Sequence, residues 1–390
     1  MTEVTSAEAT QINFELSESE KLIQETARSF AQKEMMPVVM KYDESQEFPM
    51  EIFKKMAELG FLGIVIPEQY GGAGLSYIDL VIILEEFSKV DPSVGLSVGA
   101  HNGLCTSHIY SFGSEQHKRK YVRELASGEK LGAWALTEQS SGSDARSMKT
   151  TASRLGGGWI LNGSKMFTTL GSVADIYVVM ALTDKAKGKE GISAFILEKG
   201  MSGLSVGKKE NKLGMRASDT SSVIFENVHI PGENLIGREG EGFKQALHVL
   251  DGGRIGIAAQ SVGIAQGCLE ASAKYAKERK QFGRSLSQFQ AIQWKLADMS
   301  VDIDAARLLT YRAAYFKQRG KEVTLAASIA KYFASEIAVK AATEAVQIHG
   351  GYGYIKEFPV EKFYRDVKLM TIGEGTSEVQ KMVIARKLLQ

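Results

Sequence analysis

The chain has very little cysteine and no long apolar segment. Among its 390 residues there are only two cysteines, Cys105 and Cys268. Two scattered cysteines supply neither a disulfide framework nor a zinc site, and they favour a reducing compartment. The longest apolar runs, such as YVVMAL and VIIL, are far shorter than the roughly 20 residues that cross a bilayer. Neither a disulfide-stabilised secreted fold nor membrane insertion is therefore expected.

Net charge is also close to zero. The chain carries 47 Lys and Arg against 46 Asp and Glu, so no overall field attracts nucleic acid or a membrane surface. Its six histidines show no metal-ligand spacing, and no metal is expected. The N-terminal stretch has neither an apolar signal core nor an arginine-rich presequence. We expect a cytoplasmic protein, or a mitochondrial matrix protein if this is the mature form of a processed enzyme.

Three kinds of pattern follow one another along the chain. The first part has helical periodicity, the middle has short β-branched and aromatic segments between Gly, Asn, Asp and Ser, and the last part has long helical periodicity. A chain of this length exceeds one ordinary core. We predict a mostly α protein with a central β domain: an N-terminal helical domain (1–130), a middle β-barrel-like domain (131–235) and a C-terminal four-helix bundle (236–390).

Three local signals predict where elements begin and end. Ser17 and Glu20 have the spacing of a capping box at the start of a helix. Pro37 is expected to end or interrupt that helix. In the middle region, Asn162-Gly163 is a typical two-residue hairpin turn.

Near the C-terminus, the sequence IGEGTSEVQ places Glu374 between Gly373 and Gly375. Each glycine weakens a helix by about 1 kcal/mol relative to alanine, but it lets the backbone bend and approach a ligand. The carboxylate is either a solvated loop residue or a base held toward a substrate. The turn alone does not distinguish these two interpretations.

Five strings together resemble the acyl-CoA dehydrogenase family. The resemblance extends from about residue 15 to residue 389, and LDGGRIGIAAQSVGIAQ is most like the short-chain, butyryl-CoA branch. It implies FAD-dependent α,β-dehydrogenation of a short or modest-length acyl-CoA to the 2-enoyl-CoA, with electrons passed to an electron-transferring flavoprotein. The strings are AWALTEQSSGSDA (133–145), LDGGRIGIAAQ (250–260), ERKQFGRSLSQFQAIQ (278–293), AVQIHGGYGY (345–354) and IGEGTSEVQ (372–380).

The resemblance makes Glu374 the catalytic base. Burial beside flavin and thioester raises the pKa of a carboxylate and strengthens it as a base toward the α-proton, while flavin N5 takes the β-hydride. The N–H of the base and a flavin ribityl hydroxyl stabilise the thioester carbonyl. Some members carry the base at the position of Gly253, where this chain has no carboxylate. His349 lies in a glycine-rich string and is expected to be structural.

The same resemblance assigns one group of residues to the flavin end of FAD. The backbone around Leu136 and the hydroxyl of Thr137 contact the isoalloxazine ring, and Ser143 contacts the pyrophosphate. Phe167 covers the flavin, and Thr169 reaches N5. Thr376 and Glu378, two and four positions after the base, complete this group.

A second group is assigned to the adenine end of FAD, which a neighbouring subunit partly holds in this family. These residues are Arg279, Phe282, Gln290, Gln347 and Gly351. The guanidinium of Arg279 suits a pyrophosphate because its planar fork forms paired charge-assisted bonds. A shared site implies a homo-oligomer, and we expect a tetramer built as two dimers.

The substrate side is assigned to Ser143, Asp251, Arg254, Gly373 and Gly375. Asp251 and Arg254 also have the spacing of an ordinary ion pair within a helix, and both roles are compatible. Many short- and medium-chain members have Tyr where this chain has Gly373. Its absence predicts a wider pocket beside the base, with room for a branched acyl chain, unless another helix fills the gap.

Two alternative functions share the same expected fold. One is an acyl-CoA oxidase or nitroalkane-oxidase type of flavoenzyme, which reduces oxygen and is separated by its electron acceptor. The other is a DNA-binding flavoprotein of the same fold. Such proteins add a basic C-terminal region, whereas this chain has a net charge of only +1.

Overall fold

The computed structural model describes residues 15–390. Its first third is helical, as the periodicity predicts. Three π-helical stretches, Ala31–Met35, His101–Thr106 and Lys118–Val122, continue the helical path between α-helices. The α-helices are α1 (Glu18–Phe30), α2 (Val39–Ser45), α3 (Met50–Glu58), α4 (Tyr77–Ser88), α5 (Pro92–Ala100), α6 (Ser107–Phe112), α7 (Glu115–His117) and α8 (Arg123–Ala126).

The first helix begins with the predicted capping box. The Oγ of Ser17 accepts a hydrogen bond from the N–H of Glu20 (3.3 Å), and Glu20 Oε2 accepts one from the N–H of Ser17 (2.7 Å). These bonds satisfy N–H groups that have no partner within the first helical turn. Pro37 interrupts the helical path, because it lies in a short 3₁₀ turn, Met36–Val38, that precedes α2.

The middle of the chain forms one mixed sheet of eight strands. The strand order is β6-β7-β3-β2-β4-β5-β8, and β1 pairs in parallel with β4. The strands are β1 (Gly132–Ala135), β2 (Thr151–Leu155), β3 (Gly158–Thr169), β4 (Ile176–Leu182), β5 (Ile192–Glu198), β6 (Leu204–Lys209), β7 (Thr220–Pro231) and β8 (Leu235–Ile236).

The central strands of this sheet are buried on both faces. In β4, Val178 and Met180 belong to a cluster with Leu125 of α8, whereas Tyr177 and Val179 point into a second cluster formed by the sheet itself. Alternate residues of a strand point to opposite faces, so a strand covered on both sides must be apolar throughout. This explains the unbroken sequence IYVVMAL.

The hairpin turn predicted at Asn162-Gly163 is wrong. Both residues lie inside β3, where the pairing with β7 shifts register, and the β2–β3 turn lies earlier, at residues 156–157. Asn162 Oδ1 accepts a bond from the N–H of Asn227 (2.8 Å). A Cβ on Gly163 would lie 2.6 Å from Thr150 Oγ1. Pairing and close packing across the sheet therefore override the local turn signal.

The last part of the chain is a bundle of long helices. A two-strand hairpin, β9 (Lys280–Gln281) and β10 (Arg284–Ser285), separates its first two helices. The helices are α9 (Gly242–Glu278), α10 (Gln290–Gln318), α11 (Thr324–His349), α12 (Val360–Val367) and α13 (Ser377–Leu388). The predicted order of a helical part, a central β part and a helical bundle is confirmed. Across residues 15–390, none of the helices has the length and apolar character needed to cross a membrane.

The N-terminal helices and the bundle share one apolar core. Leu84 and Phe87 of α4 belong to the same buried cluster as Ile257 and Val262 of α9. The shared core fixes α9 against α4 and α5, and this contact positions the glycine-rich part of α9 described below.

A buried ion cluster joins all three parts of the chain. Lys362 Nζ of α12 donates to Asp91 (2.8 Å), which caps α5, and to Asp366 (2.5 Å). Asp366 also accepts a hydrogen bond from the N–H of Met215, which lies in the β part (2.5 Å). Since buried charges are costly unless paired, this cluster specifies how the parts fit together.

Candidate active site

Glu374 lies in a tight turn between a 3₁₀ segment, Lys368–Thr371, and α13. Its backbone is left-handed (φ +55°), and so is the backbone of Gly375 (φ +95°). A non-glycine residue in this conformation costs about 1–3 kcal/mol, so it persists only where neighbouring contacts hold it. Gly375 thus supplies the left-handed backbone that the turn requires, whereas Gly373 is not left-handed.

The carboxylate of Glu374 is oriented toward the protein interior. Its Oε2 is buried and has no hydrogen-bond partner within residues 15–390. Burial raises the pKa of Glu374 to about 7, although the charges of Arg254 and Lys331 oppose the shift. Buried carboxylates are normally paired or hydrogen-bonded. An unpaired one with this pKa is suited to accept a proton near neutral pH.

A glycine of α9 makes room for this carboxylate. A Cβ at position 253 would lie 1.9 Å from Glu374 Oε2 and 3.0 Å from Leu104 Cδ2. No side chain fits at Gly253 while Glu374 keeps this position. The two positions considered for the base in the sequence analysis therefore meet at one place, and only position 374 carries a carboxylate.

An ion pair on α9 lies beside the turn. Arg254 Nη1 donates to Asp251 Oδ1 (2.7 Å), which is the i,i+3 pair that the spacing allowed, and Thr324 Oγ1 donates to Asp251 Oδ2 (2.6 Å). Arg254 is buried, and its Nε has no partner within the described part of the chain. The ion pair thus orients the guanidinium, and its buried Nε–H remains free to donate.

Two buried residues that the sequence analysis missed hold the turn by hydrogen bonds to its backbone carbonyls. Lys331 Nζ donates to the carbonyl oxygen of Gly375 (2.8 Å). Gln380 Nε2 donates to the same oxygen (2.9 Å) and to the carbonyl of Glu374 (3.3 Å). These bonds hold the backbone that carries the carboxylate.

The loop that follows β1 lies against β3. The N–H of Met166 donates to the carbonyl of Thr137 (2.8 Å). Lys165 Nζ donates to the carbonyl of Leu136 (3.0 Å) and to Glu138 Oε1 (2.8 Å). Burial lowers the pKa of Lys165 to about 8. The sequence analysis also missed this buried ion pair, which fixes the backbone around the two predicted flavin contacts.

The other residues predicted to contact the flavin end are accessible. The ring of Phe167 is 62% exposed, and its backbone is left-handed (φ +55°). Ser143 is exposed and Thr169 is partly exposed. A large aromatic side chain held out of the core by a strained backbone indicates a contact surface.

Thr376 and Glu378 lie directly beyond the Glu374 turn. The Oγ1 of Thr376 accepts a hydrogen bond from the N–H of Val379 (3.3 Å) and caps α13. Glu378 is exposed in the first helical turn, where hydrogen bonds from its own N–H and from Thr376 lower its pKa. Both side chains are therefore fixed at the N-terminus of α13.

The remaining predicted cofactor residues form a separate exposed region, which we call the hairpin surface. Arg279 stacks its guanidinium on the ring of Tyr352 (5.3 Å to the centroid). Phe282 is 93% exposed and left-handed (φ +51°). The hairpin surface consists of Arg279, Phe282, Gln290, Gln347 and Gly351, of which the last three are exposed as well.

The structure does not bring the hairpin surface close to Glu374 within one chain. Gly253 lies in the N-terminal half of α9, whereas Arg279 directly follows its C-terminal residue. The 26 steps of about 1.5 Å between them correspond to roughly 39 Å. The hairpin surface and the Glu374 turn are therefore separate on one copy of the protein. Across residues 15–390, no group of three or more His, Cys, Asp and Glu side chains is arranged to hold a metal ion.

Three family models match the chain in succession. They describe the acyl-CoA dehydrogenase N-terminal domain (residues 17–129), middle domain (133–228) and C-terminal domain (240–389). The chain belongs to the acyl-CoA dehydrogenase family, and it is an oxidoreductase. The resemblance inferred from the five strings is confirmed.

Individual relatives are similar over almost the whole chain. A short-chain specific acyl-CoA dehydrogenase of Clostridium acetobutylicum is 49% identical over 379 residues, covering 97% of this chain and 100% of the relative. The structure of butyryl-CoA dehydrogenase from Megasphaera elsdenii has a TM-score of 0.96 and 44% identity, covering 97% and 100%. A subunit of the caffeyl-CoA reductase-Etf complex of Acetobacterium woodii is 46% identical, covering 96% and 99%.

Proposed function

We propose that this protein oxidises a short-chain acyl-CoA to the 2-enoyl-CoA, with Glu374 as the base that removes the α-proton. The observation that carries this proposal is the buried, unpaired Oε2 of Glu374, for which Gly253 leaves space. In an oxidoreductase of this family, such a group is suited to take a proton from the carbon beside a thioester. The relatives named short-chain specific and butyryl-CoA dehydrogenase support the chain length.

The ionisation of Glu374 matches this role. With a pKa of about 7, the carboxylate is a stronger base than an exposed glutamate, yet a large fraction is ionised at neutral pH. Below pH 7 the protonated form accumulates and cannot accept the α-proton. The proposal therefore expects activity to rise with pH as Glu374 ionises.

The backbone of Glu374 supplies a second function. Within residues 15–390, its N–H donates no hydrogen bond, while the carbonyl groups of Glu374 and Gly375 are held by Gln380 and Lys331. A fixed, unused N–H is suited to stabilise negative charge that develops on a thioester carbonyl. We propose that this N–H binds the thioester oxygen.

The residues that the sequence predicts at the flavin end fit an FAD. Phe167 presents an exposed ring, and the Lys165–Glu138 pair fixes the backbone of the Leu136–Thr137 loop beside it. FAD, when bound, supplies the acceptor for the β-hydrogen of the substrate, which leaves as hydride. We assign its flavin end to the first group, namely Leu136, Thr137, Ser143, Phe167, Thr169, Thr376 and Glu378.

We assign the adenine end of the FAD to the hairpin surface of another copy of the chain. This assignment is supported by the roughly 39 Å of helix between Gly253 and Arg279, which keeps the hairpin surface away from the turn on one copy. An apolar stripe on α10 supports self-association as well, since it repeats every seven residues and is exposed. The stripe consists of Trp294, Val301, Leu308 and Tyr315. A homotetramer built as two dimers satisfies both observations.

The far end of the acyl pocket is assigned to one face of α9. Gly253, Gly256 and Gln260 recur along this face, and Gly256 would place a Cβ 3.5 Å from Leu84. Gln260 is buried, its Oε1 has no partner within the described residues, and its Nε2 would lie 2.8 Å from a Cβ on Gly99. Seven helical steps place Gln260 about 10 Å from Gly253. We infer that its amide closes the pocket and limits it to short chains.

The near end of the pocket is open. The three atoms nearest to a Cβ at Gly373 would all belong to Leu369, at ordinary distances of 3.6–3.9 Å. The first atom of a side chain therefore fits at position 373, next to the base in the sequence. This supports room for a methyl branch near C2 or C3 of the acyl group.

For the electron acceptor we propose an electron-transferring flavoprotein, which is supported by the relative that forms a reductase-Etf complex. A panel of straight and branched acyl-CoA thioesters with a dye acceptor tests the reaction. Short acyl-CoA substrates should be oxidised, and the rate of reoxidation by oxygen should be far below the rate with the flavoprotein. Equal turnover with oxygen alone would favour the oxidase alternative.

A further inference from the structure

Lys331 has a position that is unusual for a lysine. It lies on the apolar face of α11, one turn from Ala327 and Ala334, and its side chain is fully buried. Among the described residues it forms no ion pair, and its hydrogen bond goes to the neutral carbonyl of Gly375 (2.8 Å). A buried, unpaired ammonium is costly, so its presence beside the active-site turn requires an explanation.

Only a few charged groups act on the ammonium of Lys331. Glu374 is the carboxylate that acts on it most strongly, and Glu336 and Glu378 act more weakly. The other cation facing Glu374 is Arg254 of α9, but Asp251 neutralises much of that charge through a 2.7 Å bond. Lys331 is therefore the cation near the base whose charge is not already paired.

We propose that Lys331 is a positioning residue for Glu374: its ammonium locks the left-handed Glu374–Gly375 backbone and places an uncompensated positive charge behind the base. This inference rests on the proposed function of Glu374. The bond to Gly375 fixes the direction of the carboxylate and of the Glu374 N–H. The charge favours the ionised form of Glu374, which is the form that accepts the α-proton.

The positive charge of Lys331 affects the pKa of Glu374, which a lysine with a purely structural role would not do. Burial raises the pKa of Glu374 to about 7 against the fields of Arg254 and Lys331. If the charge of Lys331 is removed, less opposes the effect of burial, and the pKa of Glu374 rises further. The loss of activity is then greatest at pH 6 to 7 and smaller well above that range, where Glu374 is ionised and only the lost bond to Gly375 remains.

The test compares Lys331→Met with Lys331→Arg in the FAD-loaded enzyme. Infrared difference spectra of each protein against the same protein carrying Glu374→Gln follow the protonated carboxyl of Glu374 across pH, without turnover. We expect Lys331→Met to move this titration upward by about one pH unit and to lower kcat/KM about tenfold at pH 6. Lys331→Arg keeps the charge and should titrate as the wild type.

Two controls separate charge, hydrogen bonding and burial. Lys212 is another lysine whose pKa burial lowers to about 8, it donates to the carbonyl of Ser218 (2.9 Å), and its charged neighbours do not include Glu374. Lys212→Met should leave the Glu374 titration unchanged. Gln380→Met removes bonds to the turn without removing charge, so it should lower kcat and leave the titration unmoved.

An unchanged Glu374 titration in Lys331→Met, or an equal shift in Lys212→Met, would overturn the proposal. If Lys331→Met does not fold, Lys331→Gln carries the same expectation, because it also lacks the charge. Failure of the proposed function is a separate result: Glu374→Gln alone would retain turnover, while the infrared titration would still report whether Lys331 acts on Glu374.

Discussion

The turn around Glu374 and the hairpin around Phe282 have the same backbone feature in opposite surroundings. In each, a left-handed residue with a large side chain precedes a left-handed glycine: Glu374 (φ +55°) before Gly375 (+95°), and Phe282 (+51°) before Gly283 (+78°). Each strained residue costs about 1–3 kcal/mol. Strain of this kind orients a side chain that the ordinary backbone would direct elsewhere.

The surroundings decide what each oriented side chain can do. The turn is held by Lys331 and Gln380 of its own chain. The ring of Phe282 is 93% exposed, and a Cβ on Gly283 would contact nothing within 4 Å. Under our proposal, the proton-transfer site is therefore complete within one chain, whereas the cofactor site needs the hairpin of another copy.

The largest expected effect is on the turn. Glu374→Gln keeps the shape of the side chain but removes the base, so turnover should fall by roughly 10³-fold or more, while bound FAD and assembly are retained. Steady-state kinetics and flavin absorbance measure both. Glu357→Gln, which changes an exposed carboxylate, should behave as the wild type. Near-normal turnover in Glu374→Gln would show that the turn is not the proton-transfer site.

The hairpin should show the opposite behaviour. Arg279→Gln removes charge-assisted bonds to the cofactor, so the Kd for FAD should rise by about 10- to 100-fold, with proton abstraction intact once FAD is saturating. Arg284→Gln is the matched control, since Arg284 lies in the same hairpin and stacks on Phe289. Equilibrium dialysis and sedimentation report FAD binding and assembly. A monomer that retains full FAD would contradict the shared site.

Gly373→Tyr sharpens the turn side of the comparison. The added ring should fill the open space beside the base and change the ratio of kcat/KM for branched and straight substrates by about tenfold. The measurement compares butyryl-, isobutyryl-, 2-methylbutyryl- and isovaleryl-CoA in both proteins. A wild type that strongly prefers the straight chain, with the same ratio in the variant, would show that the space is not used.

The last expected effect is on stability and does not involve turnover. The pKa of Glu374 is near 4.5 when exposed and about 7 in the folded protein, so the unfolded chain loses this proton first as pH rises. The wild type therefore loses stability between pH 4.5 and 7, by up to about 3 kcal/mol, and the loss is complete above pH 7. Glu374→Gln lacks this titration.

Thermal unfolding at pH 5 and pH 8 measures this difference. The difference in Tm between Glu374→Gln and the wild type should be more favourable to the variant at pH 8 than at pH 5. Glu357→Gln is the control for replacing an exposed carboxylate with an amide. A Tm difference between wild type and Glu374→Gln that is the same at both pH values would mean that the folded protein does not disfavour the ionised carboxylate.

Much of the architecture was predictable because local signals agreed with the global fold. The Ser17 capping box, the interruption at Pro37 and the long helices of the bundle all follow from spacing and periodicity. The prediction of a turn at Asn162-Gly163 was wrong, because pairing with Asn227, on a strand distant in sequence, overrides the high turn propensity of this residue pair. Local propensity does not contain that contact.

The reacting carboxylate of the site could be predicted from the sequence, but the buried side chains that hold its backbone in place could not. Glu374 was identified from a string that resembles a family, whereas Lys331 and Lys165 were missed although a signal existed. Lys331 occupies a position that the alanine periodicity of α11 marks as buried, and such a lysine needs a partner. The identity of that partner, Gly375, depends on tertiary packing, which spacing does not reveal.

The most direct test of the central claim isolates proton removal from oxidation. 3-Thiabutyryl-CoA has sulfur at the β position, so it offers α-protons but no β-hydride. In D₂O, the wild-type enzyme should exchange these α-protons, with a rate that rises as pH passes about 7, and Glu374→Gln should show no enzyme-catalysed exchange by mass spectrometry. Exchange at the wild-type rate in Glu374→Gln would show that another group is the base.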